Sequence, residues 1–388
     1  MAGIYVHVPF CMKRCNYCDF ITYQGMTELI PDYLASLERE IQESLTQFPD
    51  LDVSTVYIGG GTPSMLEGKA ISELMHVLQN CFSLDRCTEI TIEVNPGTVT
   101  KNKLEKIIKS GINRLSLGVQ SLDDESLVKL GRIHTRKQAI TTIERAVKIG
   151  FTNISIDLLF GLPWQSVEQW KATLIDALAL HTQHISIYNL TLEAGTPLAE
   201  AVAHHQYPQP DDDLSADMYE LTQQLLSSSG YRQYEISNWS FGGKFESEHN
   251  KNYWRNNDYL GFGVGAHSYN MGVRHENAPS IPQYIEMINN STRSNTWPLA
   301  CINSIEMSKF EQMQDTMMLG LRMTGEGVSC DKFYRKYACD MAEVFGNEID
   351  QLITAGICEW GEFEGDKCFR LTKRGVLVGN RAFRMFVG

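Results

Sequence analysis

No apolar run in the chain reaches the roughly 18 residues that a membrane-spanning helix needs, so a transmembrane segment is excluded. The opening stretch, MAGIYVHVPFC, has neither a basic start nor a long apolar core. No export signal is therefore expected, and the compartment is read as a reducing cytoplasm, with attachment to a membrane surface left open. Positive charge is also short. Against 47 Asp and Glu stand only 34 Lys and Arg, a formal net charge of -13, which counts against a nucleic-acid binder that tracks phosphates. Internal repeats and low-complexity tracts are missing. Paired cysteine spacings are nearly so: Cys81, Cys87, Cys301, Cys330, Cys339, Cys358 and Cys368 are scattered and read as small buried hydrophobes.

What is present is an ordinary globular composition, 43% hydrophobic, on 388 residues, enough for one large domain and a smaller one. Up to about residue 230, short runs rich in β-branched and aromatic residues alternate with helical patterns. The runs are GIYVHVPF, VSTVYIGG, EITIEVNP, NRLSLGVQ, TNISIDLLFG and HISIYNLT. Between them Tyr33, Leu37, Ile41 and Leu45 fall four apart on one helix face. Thr135 with Gln138 reads as a capping box, and Gly150 as the glycine that ends its helix. This alternation predicts parallel strands joined by right-handed crossovers, as a doubly wound sheet or an incomplete TIM-like barrel. Residues 201–213 read as an acidic surface loop, 214–229 as a helix, and 231–280 as a stretch without regular periodicity. From about 305 helices are expected, with a hairpin turning at Gly365-Asp366. Helices followed by such a wing suggest a winged-helix-like module.

The three remaining cysteines, Cys11, Cys15 and Cys18, lie in one short loop after the first strand run. Structural zinc wants four ligands, commonly as two pairs, and no second pair stands nearby. His7 is badly placed as a fourth ligand. Three thiolates in one loop suit a cubane iron–sulfur cluster with one iron left open. The other strand runs end in Gly59-Gly60-Gly61-Thr62-Pro63, Glu93, Gln120, Asp157 and Asn189, and in parallel α/β folds such ends converge on one site.

C-x3-C-x2-C on that loop, followed by GGGTP, resembles the radical S-adenosylmethionine (SAM) superfamily. IYVHVPFC, YIGGGTPS, IEVNPGT, LSLGVQSLDD, LGRIHT and IDLLFGLPWQ resemble, in order, the branch that holds oxygen-independent coproporphyrinogen III oxidase and the heme chaperones. The resemblance implies an α/β fold, an incomplete TIM-like (β/α)6 barrel over 1–230. A connecting region over 231–304 and a winged-helix-like domain over 305–388 follow. It implies a [4Fe-4S] cluster on Cys11, Cys15 and Cys18, with SAM chelating the open iron; in that superfamily one electron then cleaves SAM to a 5′-deoxyadenosyl radical. Tyr5, Tyr17, Gly60 and Glu93 resemble positions around that SAM. Gly61, Thr62, Gln120, Arg132 and Asp157 resemble positions that hold a second SAM in the oxidase. The oxidase pattern carries a fourth cysteine where this chain has Phe20, and a longer N-terminal extension. HNKNYW, residues 249 to 254, fits the HNxxYW motif of the chaperones. It makes His249 the candidate axial ligand of heme, Tyr253 and Trp254 its flat apolar surface, and His267 and His134 second-rank candidates. The resemblance thus implies a heme carrier working with a heme-acceptor protein and an electron donor. Porphyrinogen decarboxylation and heme-degrading methyl transfer are the alternatives.

Overall fold

All six β-branched runs become strands, since side chains branched at Cβ pack well on a pleated surface. In the computed structural model, which describes residues 2–291 and 297–387, β1 spans Ala2–Val8. Two short strands, β2 (Phe10–Cys11) and β3 (Tyr23–Gln24), pair with each other and bracket the cysteine loop. The other five runs are β4 (Val53–Gly60), β5 (Glu89–Val94), β6 (Arg114–Gln120), β7 (Ile154–Phe160) and β8 (His184–Asn189). From β1 through β4 to β8 they pair in parallel in chain order. Helices pack against this sheet. Tyr33, Leu37 and Ile41 of the helix Ile30–Ser44 are wholly buried in the common core. The Thr135–Gln138 capping box opens the helix Arg136–Ile149, and Gly150 closes it at φ 115°.

The stretch that lacked periodicity extends the same sheet. Two strands, β9 (Arg232–Glu235) and β10 (Asn238–Ser240), run antiparallel beyond β8. On the opposite side β11 (Tyr259–Phe262) pairs in parallel with β1, and β12 (His267–Asn270), β13 (Val273–Asn277) and β14 (Cys301–Glu306) follow it antiparallel. The sheet has 12 strands in the order β14-β13-β12-β11-β1-β4-β5-β6-β7-β8-β10-β9. This architecture is an α/β fold around a mostly parallel sheet. Residues 292–296, within the stretch expected as the connecting region, lie outside the described residues.

Two boundaries differ from expectation for local reasons. The loop read over 201–213 is shortened by the helices Pro197–Ala203 and Asp212–Ser228. Asp211 caps the second by accepting from Leu214 N, so the acidic run sits at a helix N-terminus, where the dipole favours it. Ile305 and Glu306, read as helical, belong to β14, and the helix Lys309–Gly320 starts at the Ser308–Glu311 capping box. Short helices Cys330–Tyr337, Met341–Val344 and Gly346–Thr354 lead to a small sheet of β15 (Val328–Ser329), β16 (Cys358–Phe363) and β17 (Asp366–Leu371), ordered β15-β17-β16. Its hairpin turns at Glu364-Gly365, one residue earlier than read, with φ 52° and 82°, as a two-residue hairpin loop prefers. No helix is long and apolar enough to cross a membrane among the described residues.

Glu40 fastens β11 to the rest. Wholly buried, it accepts from Gly263 N at 2.8 Å, Tyr284 OH at 2.7 Å and Asn277 Nδ2 at 2.7 Å. Burial pushes its carboxyl up to about 7, against the pull of these three donors. Glutamine at position 40 sets an amide N–H against a donor. Glu40→Gln is expected to cost about 1–3 kcal/mol in urea melts. A carboxyl raised by folding stabilises most below its ordinary value and loses that contribution as pH rises through about 7. The gap between wild type and variant should therefore narrow from pH 5 to pH 8; a gap that widens contradicts this account.

Candidate functional site

The carboxyl ends of β1 and β4 to β8 surround a cavity of about 420 Å³, within the usual range for small-molecule sites. Cys11, Cys15, Cys18 and Tyr17 line it from the first loop. Gly60, Gly61 and Thr62 line it after β4, Glu93 at the end of β5, Gln120 at the end of β6, and Arg132 and Asp157 from beyond. Eleven residues singled out in the sequence thus share one cavity.

The loop is held at several points. Gly61 N donates to Val8 O and Thr62 N to Phe10 O, both at 2.9 Å. A Cβ on Gly61 would lie 2.8 Å from Pro9 O, so this glycine admits the backbone that leads into Cys11. Asn16, which the sequence did not flag, donates through Nδ2 to Lys129 O at 2.9 Å and through its backbone N to Leu130 O at 3.0 Å. Arg132 donates to Cys15 Sγ at 3.2 Å and to Gly118 O at 2.6 Å, so a fixed guanidinium faces the middle thiol. Burial raises the Cys11 and Cys18 thiols, with Thr62 pulling Cys11 down and Phe20's backbone pulling Cys18 down. A metal that takes the proton's place reverses that preference. Among the described residues no three His, Cys, Asp or Glu side chains converge tightly enough for one ion. The donor set fits a cubane cluster instead, where each thiolate takes a different iron.

Two half-buried carboxyls also line the cavity. Glu93 accepts from Tyr57 OH at 2.8 Å and from Gly60 N at 3.1 Å; burial, then the charge of Asp157, lifts its carboxyl to about 7. Asp157 accepts from Ser116 Oγ at 3.2 Å and is also raised by burial. Together these carboxyls supply acceptors for ligand hydroxyl and ammonium groups, and Arg132 supplies a carboxylate or sulfur partner.

Tyr5 and His249 are placed differently. Tyr5 lies behind the cavity wall, donating to His7 Nδ1 at 2.9 Å and stacked on Tyr57. His249, in the stretch read as lacking regular periodicity, sits on the short helix Glu248–Trp254, 1% exposed, wedged against Gly3 and Thr55 near the starts of β1 and β4. Both ring nitrogens are engaged, Nδ1 with Thr55 Oγ1 at 2.8 Å and Nε2 with Tyr253 OH at 3.0 Å. Burial holds its imidazole down to about 3, hence neutral. Trp254 does not stand beside it: its ring is covered by the Arg322 guanidinium at 4.3 Å. Of this motif, Asn250 reaches the cavity. His134 is buried with Nε2 on Val119 O, and His267 is exposed on β12; neither lines the cavity.

A parallel β/α sheet whose first loop brings three cysteines to the cavity at its strand ends defines the radical SAM class, and the model of the Radical SAM superfamily matches residues 5–177. The HemN C-terminal domain model matches residues 307–378. The chain belongs to the family of the heme chaperone HemW. It is 35% identical over 389 aligned residues to the heme chaperone HemW of Bacillus subtilis (strain 168), covering 100% of both chains. Identity to the heme chaperone HemW of Escherichia coli (strain K12) is 38% over 267 residues, 68% of this chain and 69% of that one. The solved structure of coproporphyrinogen III oxidase (HemN) from Escherichia coli, a radical SAM enzyme, shares the fold. Its TM-score is 0.82 at 24% identity, covering 99% of this chain and 89% of that one.

Proposed function

We propose that this protein is a cytoplasmic heme chaperone that carries a [4Fe-4S] cluster, binds SAM and heme, and delivers heme to an acceptor protein, with a separate electron donor for the cluster. The observation that carries the reading is the full-length relationship to the heme chaperone HemW of Bacillus subtilis. In this reading Cys11, Cys15 and Cys18 hold the cluster, and Arg132 steadies the Cys15 sulfur. Tyr17, Gly60, Gly61, Thr62, Glu93, Gln120 and Asp157 form the walls that take SAM, with Tyr5 supporting them through Tyr57. A cluster held there would supply one-electron chemistry to a bound SAM. Phe20, 67% exposed at the cavity mouth, occupies the place of the oxidase's fourth cysteine and weighs against porphyrinogen decarboxylation.

His249 is the candidate heme ligand, and ligation requires it to give up Thr55 or Tyr253. The decisive experiment reconstitutes the cluster anaerobically, then assays coproporphyrinogen III with SAM beside a heme titration. Heme binding without protoporphyrinogen IX is expected, and turnover to that product sinks the chaperone reading. In the same titration His249→Ala is expected to cost about 1–3 kcal/mol of stability through its lost buried hydrogen bonds and to shift the Soret band of bound heme. An unmoved Soret band removes His249 as ligand.

A further inference from the structure

The floor of the cavity holds a cation that the sequence did not point to. Arg114 opens β6 in the register that faces inward, with Ser116, Gly118 and Gln120 above it, and all four line the cavity. Its side chain is 2% exposed. Nη1 reaches Thr91 Oγ1 at 3.5 Å, and Nε is buried without a partner. No ion pair to Arg114 forms among the described residues. The carboxylates that balance its charge, Glu89 and Asp157, are spent on other donors. Glu89 accepts from Ser247 Oγ at 3.0 Å and Glu248 N at 2.7 Å, while Asp157 accepts from Ser116 Oγ. A guanidinium offers five N–H donors in a planar fork, and a buried fork left open is costly unless something fills it. The group that matches it in both shape and charge is a carboxylate, held bidentately. Its level is also distinct from that of the thiols. Arg132 meets Cys15 beside Gly118, and four residues of strand place the Arg114 backbone about 13 Å deeper.

We infer that Arg114 is an anion-binding residue at the floor of the cavity and takes a carboxylate of the bound ligand. The carboxylate is either a tetrapyrrole propionate or the methionine carboxylate of a SAM molecule other than the one at the open iron. The inference rests on the proposed function for the choice of ligands, though not for the site itself.

The test uses the reconstituted full chain, wild type and Arg114→Lys, which keeps the charge facing Glu89 and Asp157 and loses the fork. Affinities are measured for heme against heme dimethyl ester, and for SAM against decarboxylated SAM. In one of the two pairs the wild type should prefer the carboxylate form at least tenfold, and the substitution should collapse that preference while leaving the neutralised analogue unchanged. The pair that collapses names the source. Preferences unchanged in both pairs overturn the inference and leave the chaperone reading standing. Collapse in the SAM pair with no heme binding at all does the reverse. If Arg114→Lys does not fold, the ester arm decides in the wild type: equal affinity for heme and its diester refutes a propionate site, and Arg114→Gln then carries the SAM pair.

Discussion

Cys15→Ala should take the reconstituted protein from roughly four irons per chain to nearly none, with loss of the broad visible absorption. Three thiols share the cavity with no fourth cysteine beside them, because Phe20 stands where one would be. Removing any of them leaves two protein ligands for four irons. Cys15 is the most exacting choice, since Arg132 donates to its sulfur. Alanine there also leaves that guanidinium with one fewer partner. Cys81→Ala and Cys301→Ala serve as controls, as neither residue lines the cavity, and both should keep full iron content. A Cys15→Ala protein with an unaltered spectrum contradicts the cluster assignment.

The second large effect belongs to Gly263, just after β11. Its φ is +99°, a conformation that costs a residue with a Cβ on the order of 1–3 kcal/mol. A Cβ there would also press on the Tyr33 hydroxyl and lie 2.7 Å from His7 O, and Gly263 N is one of the donors to Glu40. Overpacking adds a further 1–3 kcal/mol or so. Gly263→Ala is therefore expected to lose about 2–6 kcal/mol in urea melts, a large share of the 5–15 kcal/mol or so that holds a typical protein together. Gly195→Ala isolates the backbone term, because Gly195 has φ +81° and open space around it. The two variants losing equal stability would show that the contact with Tyr33 and His7 is not a real constraint.

How much of this was legible beforehand follows from local chemistry. The six parallel strands were plain because each is an unbroken β-branched run closed by a breaker. The residues at their ends share a cavity because parallel pairing leaves them no other side. β11 was not legible. Its four residues, YLGF, include a glycine and are followed by another at 263, and they become a strand because β1 offers them an open edge. The burial of His249 was not legible for a related reason. A seven-residue helix is too short to show a period, and its burial depends on Gly3 leaving room for the ring. Arg114 was missed although its signal was there: Arg114, Ser116, Gly118 and Gln120 alternate with Leu115, Leu117 and Val119, which marks the polar set as facing inward.

The placement of β11 beside β1 bears on the order of events at birth. Gly3 pairs with Tyr259, so one edge of the first strand stays open until more than 250 further residues have been made. Closing so long a loop carries an entropic cost that only the finished ladder repays, and contacts of such sequence separation slow folding. β4 can dock on the other edge early. The loop that carries Cys11, Cys15 and Cys18 hangs directly from this half-supported strand, and it gains its full backing only when the chain around Gly263 arrives. During synthesis the thiols emerge more than 200 residues ahead of the strand that backs β1. Assembly of the iron centre is in this sense a post-translational event set by topology.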